Sequence, residues 1–432
     1  MKIVYIVPGS GGTFYCHNCM RDNELIHTLK ALGHDVHMIP MYLPVSADNH
    51  AVSDGTPVFY GAINVYLKEI LPAYRHAPMW LEKVFDAQPL LKLAAKRAGS
   101  TRASGMEDLT ISMLMGEEGR QASELEHLIG YLKKEVKPDV IHLSNALLLG
   151  LARQLKNEIG AKIVCSLQDE NEWIDLMRTD YQAKVWGLMA ERAVDVDMFV
   201  APSNYCSEKS KMQLSIPERQ IQTVYDGITL DGYQVSSLPS DPPVLGYLCR
   251  MSEYFGLGIV VDAFLRIKKD ARFRNLKLHL TGGYTGDDKI YVNQLMQTIA
   301  QQGFEKDVHI FEIFNKDHRV RFLQSLTLLS VPVPAGEAFG AYQVEALAAG
   351  VPIVQPNVGA YPEFVESTGG GVIYQPNNGQ TLAAAMVELL RDPERMRTLG
   401  EQGRTAVFDK YSMQDMAANI IQVYEKTICC ST

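Results

Sequence analysis

The sequence predicts an α/β protein with two domains, each built on a parallel β-sheet that helices cover. Three observations carry this prediction. The chain has 432 residues, which is long enough for two separate cores. Apolar runs typical of strands alternate with helical runs, and this alternation is typical of a parallel sheet covered on both faces. The series breaks at 235–243, where Ser and Pro are abundant and periodicity is lost.

The first domain, which we place at 1–235, opens with a β-loop-α-β unit. Lys2–Val7 is the predicted first strand, and the glycine-rich turn 8–12 follows it. A helix near 18–32 then leads to a second strand at Asp35–Pro40. The series continues with strands at 139–143, 162–167 and Met198–Ala201, a helix at 146–159, and a long helical insertion at about 77–134.

The second domain is placed at 244–411, after a linker at 236–243. Its predicted strands are Val244–Leu248, Lys277–Thr281, Val308–Phe311, 328–332 and 351–355, with helices near 258–269, 290–302 and 316–325. Amphipathic helices with Leu and Ala at helical spacing fill 380–427. Strands and helices again alternate, so the second domain repeats the architecture of the first.

Composition and charge narrow the classes of function. Hydrophobic residues make up 47% and charged residues 21%, which is ordinary for a soluble globular enzyme. The net charge of -9 argues against nucleic acid as a partner. No apolar stretch approaches the roughly 18 residues that a membrane helix needs. We therefore expect a cytoplasmic protein, and peripheral contact with the inner face of the membrane stays open.

The seven cysteines are scattered through the chain. An odd number in a large chain favours reduced thiols over a disulfide framework. Cys16 and Cys19 form one CxxC pair, but a single pair is poor support for zinc, and no thioredoxin-like context supports a redox role. We expect packing thiols at a helix start. Asp287 and Asp288 are interpreted as solvated loop charges, not as metal ligands.

The segment 335–371 carries the strongest functional signal. Glu337 and Glu345 stand eight residues apart, and the run that carries the second acid has a helical composition. Eight helical residues rise about 12 Å, so the two carboxylates can hold two separated hydroxyl-bearing parts of one ligand. The helix N-terminus adds free N–H groups and a positive dipole, which suit a phosphate. Sugar hydroxyls plus phosphate indicate a nucleotide-sugar; the alternative is a surface helix with two solvated glutamates.

The whole string resembles the donor-binding signature of retaining glycosyltransferases of the GT-B fold, of the glycosyltransferase family four (group 1) type. This resemblance implies two Rossmann-like domains facing each other across a cleft that holds the ligand. It implies a nucleoside-diphosphate sugar as donor, a carbohydrate, lipid or small-molecule acceptor, and no metal or other cofactor. It also implies that the last segment, 412–432, crosses back to the first domain.

The resemblance assigns roles to particular residues. Glu345 would hold the ribose hydroxyls, Glu337 would contact the donor sugar, and Arg250 would meet the diphosphate. The donor-binding positions that it implies are Gly11, Gly12, Gly282, Phe339, Gly340, Ala341 and Glu345. The catalytic group would then be Glu337, Arg250 and His142.

On the acceptor side the residues allow more than one interpretation. His142 follows a predicted strand and would touch the donor sugar or the acceptor, but a buried, hydrogen-bonded histidine fits equally well. Asp169 and Glu170 lie at the end of the next strand. They would bind acceptor hydroxyls, act as a base, or be solvated loop charges.

The chain departs from the family pattern after the first strand of the second domain. Arg250 and Gly256 match, but Phe255 stands where the family has a lysine and Cys249 where it has a glycine. In the family that Arg and Lys neutralise the diphosphate leaving group. Losing one charge there costs on the order of several kcal/mol unless another cation substitutes.

Three functions follow in order. The first is a retaining transferase that moves a hexose from a nucleoside-diphosphate sugar to an acceptor hydroxyl, in glycan, glycolipid or glycoconjugate synthesis. The second is a non-catalytic protein of the same fold that binds a nucleotide-sugar, which the loss of the lysine at Phe255 favours. The third is a nucleotide-sugar epimerase. The alternative role for Arg250 is a surface ion pair.

Overall fold

The computed structural model describes residues 1–8, 14–42, 59–60, 105–236, 238, 240–313 and 315–429. Gly11, Gly12 and positions 77–104 of the predicted insertion lie outside the described residues. The chain forms two compact units. The first comprises 1–12, 18–224 and 416–432, and the second comprises 13–17 and 225–415.

The first unit is built on a six-stranded parallel sheet in the order β2-β1-β3-β4-β5-β6. Its strands are β1 Lys2–Val7, β2 Asp35–Pro40, β3 Val140–Leu143, β4 Lys162–Ser166, β5 Met198–Ala201 and β6 Ile221–Thr223. The central strands are buried along nearly their whole length, as expected when helices cover both faces of a parallel sheet. Tyr5 on β1 lies opposite His142 on β3, which places that histidine in the core.

Helices cover this sheet and include the described part of the predicted insertion. They are α1 His17–Ala31, α2 Glu107–Met115, α3 Ala122–Tyr131, α4 Ala152–Ile159, α5 Glu170–Ile174, α6 Thr179–Ala193 and α7 Asn204–Leu214. Short 3-10 turns lie at Gly116–Glu118, Ala146–Leu151 and Glu218–Gln220, and a π-helical turn at Leu132–Val136. Side-chain caps begin two of these elements, since Asn145 accepts from the Leu147 N–H and Ser203 from the Cys206 N–H.

The second unit contains another six-stranded parallel sheet, in the order β12-β11-β10-β7-β8-β9. Its strands are β7 Val244–Leu248, β8 Lys277–Thr281, β9 Val308–Phe311, β10 Leu328–Leu329, β11 Ile353–Pro356 and β12 Gly371–Tyr374. Strands β7 and β10 are neighbours although they are far apart in sequence. The loops that follow them, at 249–256 and 330–340, therefore leave the same edge of the sheet. In open α/β sheets the carboxyl end of such a switch in strand order is where ligands bind.

The helices of the second unit follow its strands. They are α8 Leu257–Lys268, α9 Lys289–Gln301, α10 Lys316–Gln324, α11 Ala341–Ala348, α12 Tyr361–Thr368, α13 Gly379–Leu390, α14 Pro393–Lys410 and α15 Met413–Cys429, with 3-10 turns at Ala271–Phe273 and Glu305–Asp307. Helix α15 begins in the second unit, and its residues from Met416 onward belong to the first. The two parallel sheets with their helices confirm the predicted α/β fold.

The structure bears on two expectations from the sequence, one about the cysteines and one about membrane-spanning helices. Cys16 and Cys19 are disulfide-bonded, which corrects the expectation of reduced packing thiols. The physical reason is local: Cys19 lies in the first turn of α1, and a spacing of three brings side chains close together. Cys165, Cys206, Cys249 and Cys429 are thiols outside any disulfide bond. Across the described helices, none is long and apolar enough to span a bilayer.

Candidate functional site

The site in the second unit is built from the loops after β7 and β10 and from the segment 14–17. Phe14 forms a bridge with Gly283, and the Tyr15 N–H donates to the Gly282 carbonyl at 2.8 Å. Gly282 has a φ of +120°, and a Cβ there would lie 2.2 Å from the Cys249 carbonyl oxygen. Only glycine therefore fits where the loops after β7 and β8 meet. The hydrogen bond from Tyr15 holds the 14–17 segment against the loop after β8.

Glu337 lies in the loop after β10, four residues before α11. Its side chain is buried, and its Oε2 lies within hydrogen-bonding distance of the Tyr342 hydroxyl oxygen and 2.9 Å from the Tyr361 hydroxyl oxygen. Burial raises the pKa of Glu337, and the two hydroxyls and the charge of His17 oppose that rise. Glu337 is thus a buried acid, not one of two solvated glutamates on a surface helix.

The two tyrosines that hold Glu337 are themselves fully buried. Their hydroxyl oxygens lie 2.8 Å apart, and both also approach the Val331 carbonyl, at 3.5 Å from Tyr342 and 3.2 Å from Tyr361. Burial, and next the charge of Glu337, raise the pKa of each hydroxyl well above its ordinary value. Both hydroxyls therefore keep their protons at neutral pH.

Glu345 lies on α11 and is also buried. Its Oε1 accepts from Arg319 Nε at 3.1 Å, and its Oε2 accepts from the Tyr15 hydroxyl at 3.3 Å. The Arg319 guanidinium lies 5.6 Å from the centre of the Tyr15 ring. Burial, and next the Glu345 charge, raise the pKa of Tyr15. The second acid is therefore compensated by a buried arginine and oriented by a tyrosine.

Arg250 follows β7, as predicted, and its partners come from the loop before α9. Its Nε lies 2.9 Å from Asp288 Oδ2, and its Nη2 donates to Thr285 Oγ1 at 3.2 Å. Its guanidinium lies 5.4 Å from the centre of the Phe14 ring. Asp288 also accepts from the Thr285 backbone N–H, so it is a structural partner of Arg250, and its interpretation as a solvated loop charge is wrong.

Phe255 occupies the position of the family lysine as an apolar core residue. It is buried, and its ring meets that of Tyr254 edge-on at 5.2 Å. The next residue, Gly256, has a φ of +73°, and a Cβ there would lie 2.1 Å from the Pro332 carbonyl oxygen. Helix α8 begins directly after it. Gly256 permits the tight turn before α8, and position 255 carries an apolar ring in place of an ammonium group.

The start of α11 shows why the Phe-Gly step precedes the helix. Gly340 is the N-cap residue with a φ of +82°, and α11 begins at Ala341. The Gln343 N–H already donates to the Gly340 carbonyl at 3.0 Å, whereas the N–H groups of Ala341 and Tyr342 have no acceptor within the helix. Phe339 packs against Phe364 and Tyr411, with ring centres 5.7 Å and 6.1 Å away. The helix start is therefore anchored by an aromatic cluster.

In the first unit, His142 belongs to a buried network. It is completely inaccessible to solvent; its Nδ1 lies 2.5 Å from the Tyr424 hydroxyl and its Nε2 lies 2.8 Å from Ser166 Oγ. Burial, and next the charge of Arg21, lower the pKa of His142 to about 3. Both ring nitrogens are used within the protein. This placement favours the buried, hydrogen-bonded alternative for His142 over contact with a substrate.

The acidic residues after β4 have different environments. Glu170 is buried, and its carboxylate accepts from the backbone N–H groups of Ala146, at 2.9 Å, and Gln168. Burial raises its pKa, and those N–H groups oppose the rise. Its contacts tie the loop after β3 to the loop after β4, so its carboxylate is already engaged by the backbone. Asp169 is half-buried beside it.

The second unit brings together most of the predicted donor-binding residues, and the structure adds partners for them. Arg250, Gly282, Glu337, Phe339, Gly340, Ala341 and Glu345 all lie in the loops and helix described above. Sequence reasoning missed Tyr15, Thr285, Asp288, Arg319, Tyr342 and Tyr361. Only the position of Tyr15, between the glycine-rich turn and a helix, gave any signal for it. Within the described ranges, no group of three metal-ligating side chains is present.

Comparison with known proteins places this geometry in a family. The family model described as glycosyl transferases group 1 matches residues 233–406. Spore coat protein SA of Bacillus subtilis is 30% identical over 331 residues, which are 70% of this chain and 82% of that protein. An MMP alpha-(1->4)-mannosyltransferase of Mycolicibacterium hassiacum is 34% identical over 131 residues. That alignment covers 30% of this chain and about a third, 32%, of the relative.

A solved structure extends the likeness to the whole fold. The structure of Anabaena Alr3699/HepE in complex with UDP-glucose superposes with a TM-score of 0.67 at 16% identity, over 99% of this chain and 100% of that one. This likeness supports the fold, an α/β architecture of two Rossmann-like units of the GT-B type. Together with the family model and the Bacillus relative, it leads to one conclusion: this chain belongs to the group 1 glycosyltransferases.

Proposed function

We propose that this glycosyltransferase moves a hexose from a nucleoside-diphosphate sugar to an acceptor hydroxyl, with retention of the anomeric configuration. The observation that carries the proposal is the pair of buried acids, Glu337 and Glu345, on either side of the α11 N-terminus. HepE, a neighbour in fold, was solved with UDP-glucose, and a relative is named a mannosyltransferase. We place the reaction in the synthesis of a glycan, glycolipid or other glycoconjugate.

Glu345 is the proposed ribose anchor. A carboxylate accepts hydrogen bonds from two neighbouring hydroxyl groups, as the 2′ and 3′ positions of ribose present them. Arg319 and Tyr15 hold this carboxylate in one orientation before the ligand arrives. Such preorganisation lowers the entropic cost of binding. The role of Glu337 is to receive a hydroxyl of the donor sugar beyond the helix start.

The diphosphate is assigned to Arg250 and to the N–H groups at the start of α11. A positive charge and a helix dipole at this place stabilise the negative charge that develops on the departing nucleoside diphosphate. Asp288 fixes the arginine but also offsets part of its charge. In a retaining reaction the acceptor attacks from the face that the leaving group vacates, and its hydroxyl proton goes to a leaving-group oxygen.

The experiment that tests the proposal is a donor panel with matched variants. Binding of UDP-, GDP- and ADP-sugars is followed by calorimetry on the native protein, on Glu345→Gln and on the control Glu401→Gln, an exposed helical position. We expect one base to bind the native and control proteins alike and Glu345→Gln at least tenfold more weakly, since charged hydrogen bonds contribute about 1.5–3 kcal/mol. If the native protein binds none of these donors, the proposal is wrong.

A second candidate is a non-catalytic protein that binds a nucleotide-sugar, because Phe255 replaces the family lysine. The variants Phe255→Lys and Phe255→Met separate the two functions, since only the first restores a charge. If the protein is an enzyme whose diphosphate site carries less positive charge than that of the family, we expect Phe255→Lys to raise kcat by about tenfold, which corresponds to roughly 1.4 kcal/mol of activation barrier. We expect Phe255→Met to leave kcat unchanged or to lower it. If donor binds but neither transfer nor donor hydrolysis exceeds that of Glu337→Ala, the binding protein is the correct function.

A further inference from the structure

Four oxygen atoms, one of them from Glu337, make more close contacts with one another than the available hydroxyl protons can bridge with hydrogen bonds. Glu337 Oε2 and the hydroxyl oxygens of Tyr342 and Tyr361 form a triangle in which every pair is within hydrogen-bonding distance. The Val331 carbonyl oxygen adds two further contacts, at 3.2 Å and 3.5 Å. An ionised carboxylate and a carbonyl only accept, so the two hydroxyl groups supply all the protons of this cluster.

Proton counting distinguishes the two states of the acid. With Glu337 ionised, two protons serve the cluster, and at least one edge of the triangle is a contact between oxygens without a proton. With Glu337 protonated, three protons serve the three edges as a closed ring: Glu337 Oε2 donates to Tyr342, Tyr342 to Tyr361, and Tyr361 back to Glu337 Oε2. The Val331 carbonyl already accepts from the Val333 N–H at 3.0 Å. This ring gives each of its three oxygens one donated and one accepted bond, which is the satisfied arrangement for a buried cluster.

Burial of the cluster also favours the protonated form of Glu337. All three side chains are buried, and burial without full compensation disfavours a charged carboxylate. The titratable groups that face this cluster are His17, Tyr247 and Cys249. Tyr247 and Cys249 bring no positive charge, since burial raises the pKa of the tyrosine and the thiol gains at most a negative charge. Hydroxyl groups of Tyr342 and Tyr361 that donate to Glu337, and the charge of His17, oppose its protonation, but burial is the largest influence and the pKa of Glu337 is raised. His17 Nε2 also lies 3.2 Å from Asp226, which offsets its charge.

We propose that Glu337 is a neutral carboxylic acid in the free protein, held by Tyr342 and Tyr361, and that binding of a hydroxyl-bearing donor removes its proton. A ligand hydroxyl that donates to this group finds a better acceptor in the carboxylate than in the neutral acid, so ligand binding favours the ionised form. The Glu337 proton is released to solvent, and the hydroxyl group of the bound ligand then donates a hydrogen bond to the carboxylate. Tyr342 and Tyr361 are then positioning residues that set the protonation state of Glu337. The loss of the proton on ligand binding, which is the second part of the inference, rests on the proposed function.

Infrared difference spectroscopy tests the protonation state without any ligand. The native protein at pH 7 is compared with Glu337→Gln for the C=O stretch of a protonated carboxyl group. We expect a band in the native protein and in the control Tyr374→Phe, whose buried hydroxyl donates to Asn377 outside the cluster, and its loss in Glu337→Gln. In Tyr342→Phe/Tyr361→Phe we expect the band to shift in frequency, because its hydrogen-bond partners are gone. Absence of the band from the native protein at pH 7 and below overturns the inference.

Calorimetry in two buffers of different ionisation enthalpy tests the linkage. Donor binding to the native protein is expected to release a proton, and the dissociation constant to rise by up to about tenfold per pH unit as pH falls below the pKa of Glu337. Glu337→Gln should release none and lose this pH dependence. Donor binding without proton release at any pH overturns the linkage between ligand binding and ionisation of Glu337. A protein that binds no donor contradicts the proposed function, and the infrared result then tests the neutral state of Glu337 by itself.

Discussion

Glu345 and Arg319 form an ion pair in which both side chains are at most 5% exposed. A buried ion pair adds little net stability, because desolvation offsets most of the Coulomb attraction. Removing one partner is different, since it leaves an uncompensated charge inside the protein. The pair therefore serves binding more than stability, because Arg319 compensates the buried carboxylate of Glu345 and holds it in one orientation.

Arg319→Met should lower the free energy of unfolding by about 3–5 kcal/mol, because Glu345 is left buried without a cation. The double variant Arg319→Met/Glu345→Gln should recover most of that loss and still bind donor poorly. Chemical denaturation of both variants and of Arg321→Met, an exposed arginine on the same helix, measures this. Equal losses in the single and double variants would show that the charge left behind is not the cause.

His142 gives the first unit a pH-dependent stability. Its pKa is lowered to about 3, so the unfolded chain binds its proton near the ordinary histidine value of about 6.5 while the folded protein does not. The unfolded state then holds more protons below that value, and stability falls as pH falls from about 6.5 towards 3. Above that window His142 contributes no pH dependence.

Unfolding free energies of the native protein and of His142→Gln, measured from pH 8 to pH 4, should therefore diverge. We expect the native curve to drop by on the order of 1.4 kcal/mol per pH unit more than the variant curve below pH 6.5. His127→Gln, an exposed position on α3 of the same unit, serves as the control and should follow the native protein. Parallel curves for the native protein and His142→Gln would contradict a neutral His142.

At the scale of elements, helix α11 joins the two acids. Glu337 lies before it and Glu345 within it, so their separation depends on where the helix begins. That start is set by Gly340, whose φ of +82° strongly favours glycine, and by the Phe339 ring in its aromatic cluster. A side chain at position 340 would also meet the Tyr342 ring and hydroxyl at 3.0 Å.

Gly340→Ala should weaken donor binding by tenfold or more, because the helix start shifts and the hydroxyl of Tyr342 is displaced. Gly303→Ala is a matched control: its φ of +78° imposes a similar strain of about 1–2 kcal/mol, but nothing lies within 4 Å of the added Cβ. Donor affinity and thermal stability are measured for both. If both variants lose the same stability and neither loses affinity, α11 does not set the donor geometry.

At the scale of the whole molecule, the sequence predicts the sheets better than the contacts. The strands Lys2–Val7 and Asp35–Pro40 have the predicted bounds, because buried parallel strands are short apolar runs between turn residues. Glu337 and Glu345 could be singled out because they belong to one continuous string. Tyr15 could not be paired with Glu345, since 330 residues separate them and no periodicity links them.

Other partners were hidden for physical reasons of the same kind. Arg319 lies in a polar helix that gives no indication that one of its basic residues is buried. Asp288 has the sequence context of a solvated turn, and only the fold brings it to Arg250. For His142 the sequence left two readings open, because a histidine after an apolar run fits a buried network as well as a binding site.

Two compact units with separate cores imply that ligand binding stabilises them unequally. The proposed donor contacts of Glu337, Glu345 and Arg250 all belong to the second unit. A ligand at 100 times its dissociation constant should therefore stabilise that unit by about 2.7 kcal/mol. Hydrogen exchange should show slowed exchange around β7, β10 and α11, and the central strands β1 and β3 of the first unit should exchange as before.

Calorimetric unfolding provides the second measurement, since two cores need not unfold in one step. Adding donor should move the transition of the second unit upward, while Glu345→Gln should show a movement at most about half as large at the same donor concentration. The same measurement with free nucleoside diphosphate gives the stabilisation due to the base, ribose and phosphates without the sugar. The additional stabilisation that the complete donor gives should disappear in Glu337→Ala. Protection confined to the first unit would place the donor away from the paired acids and contradict their assignment.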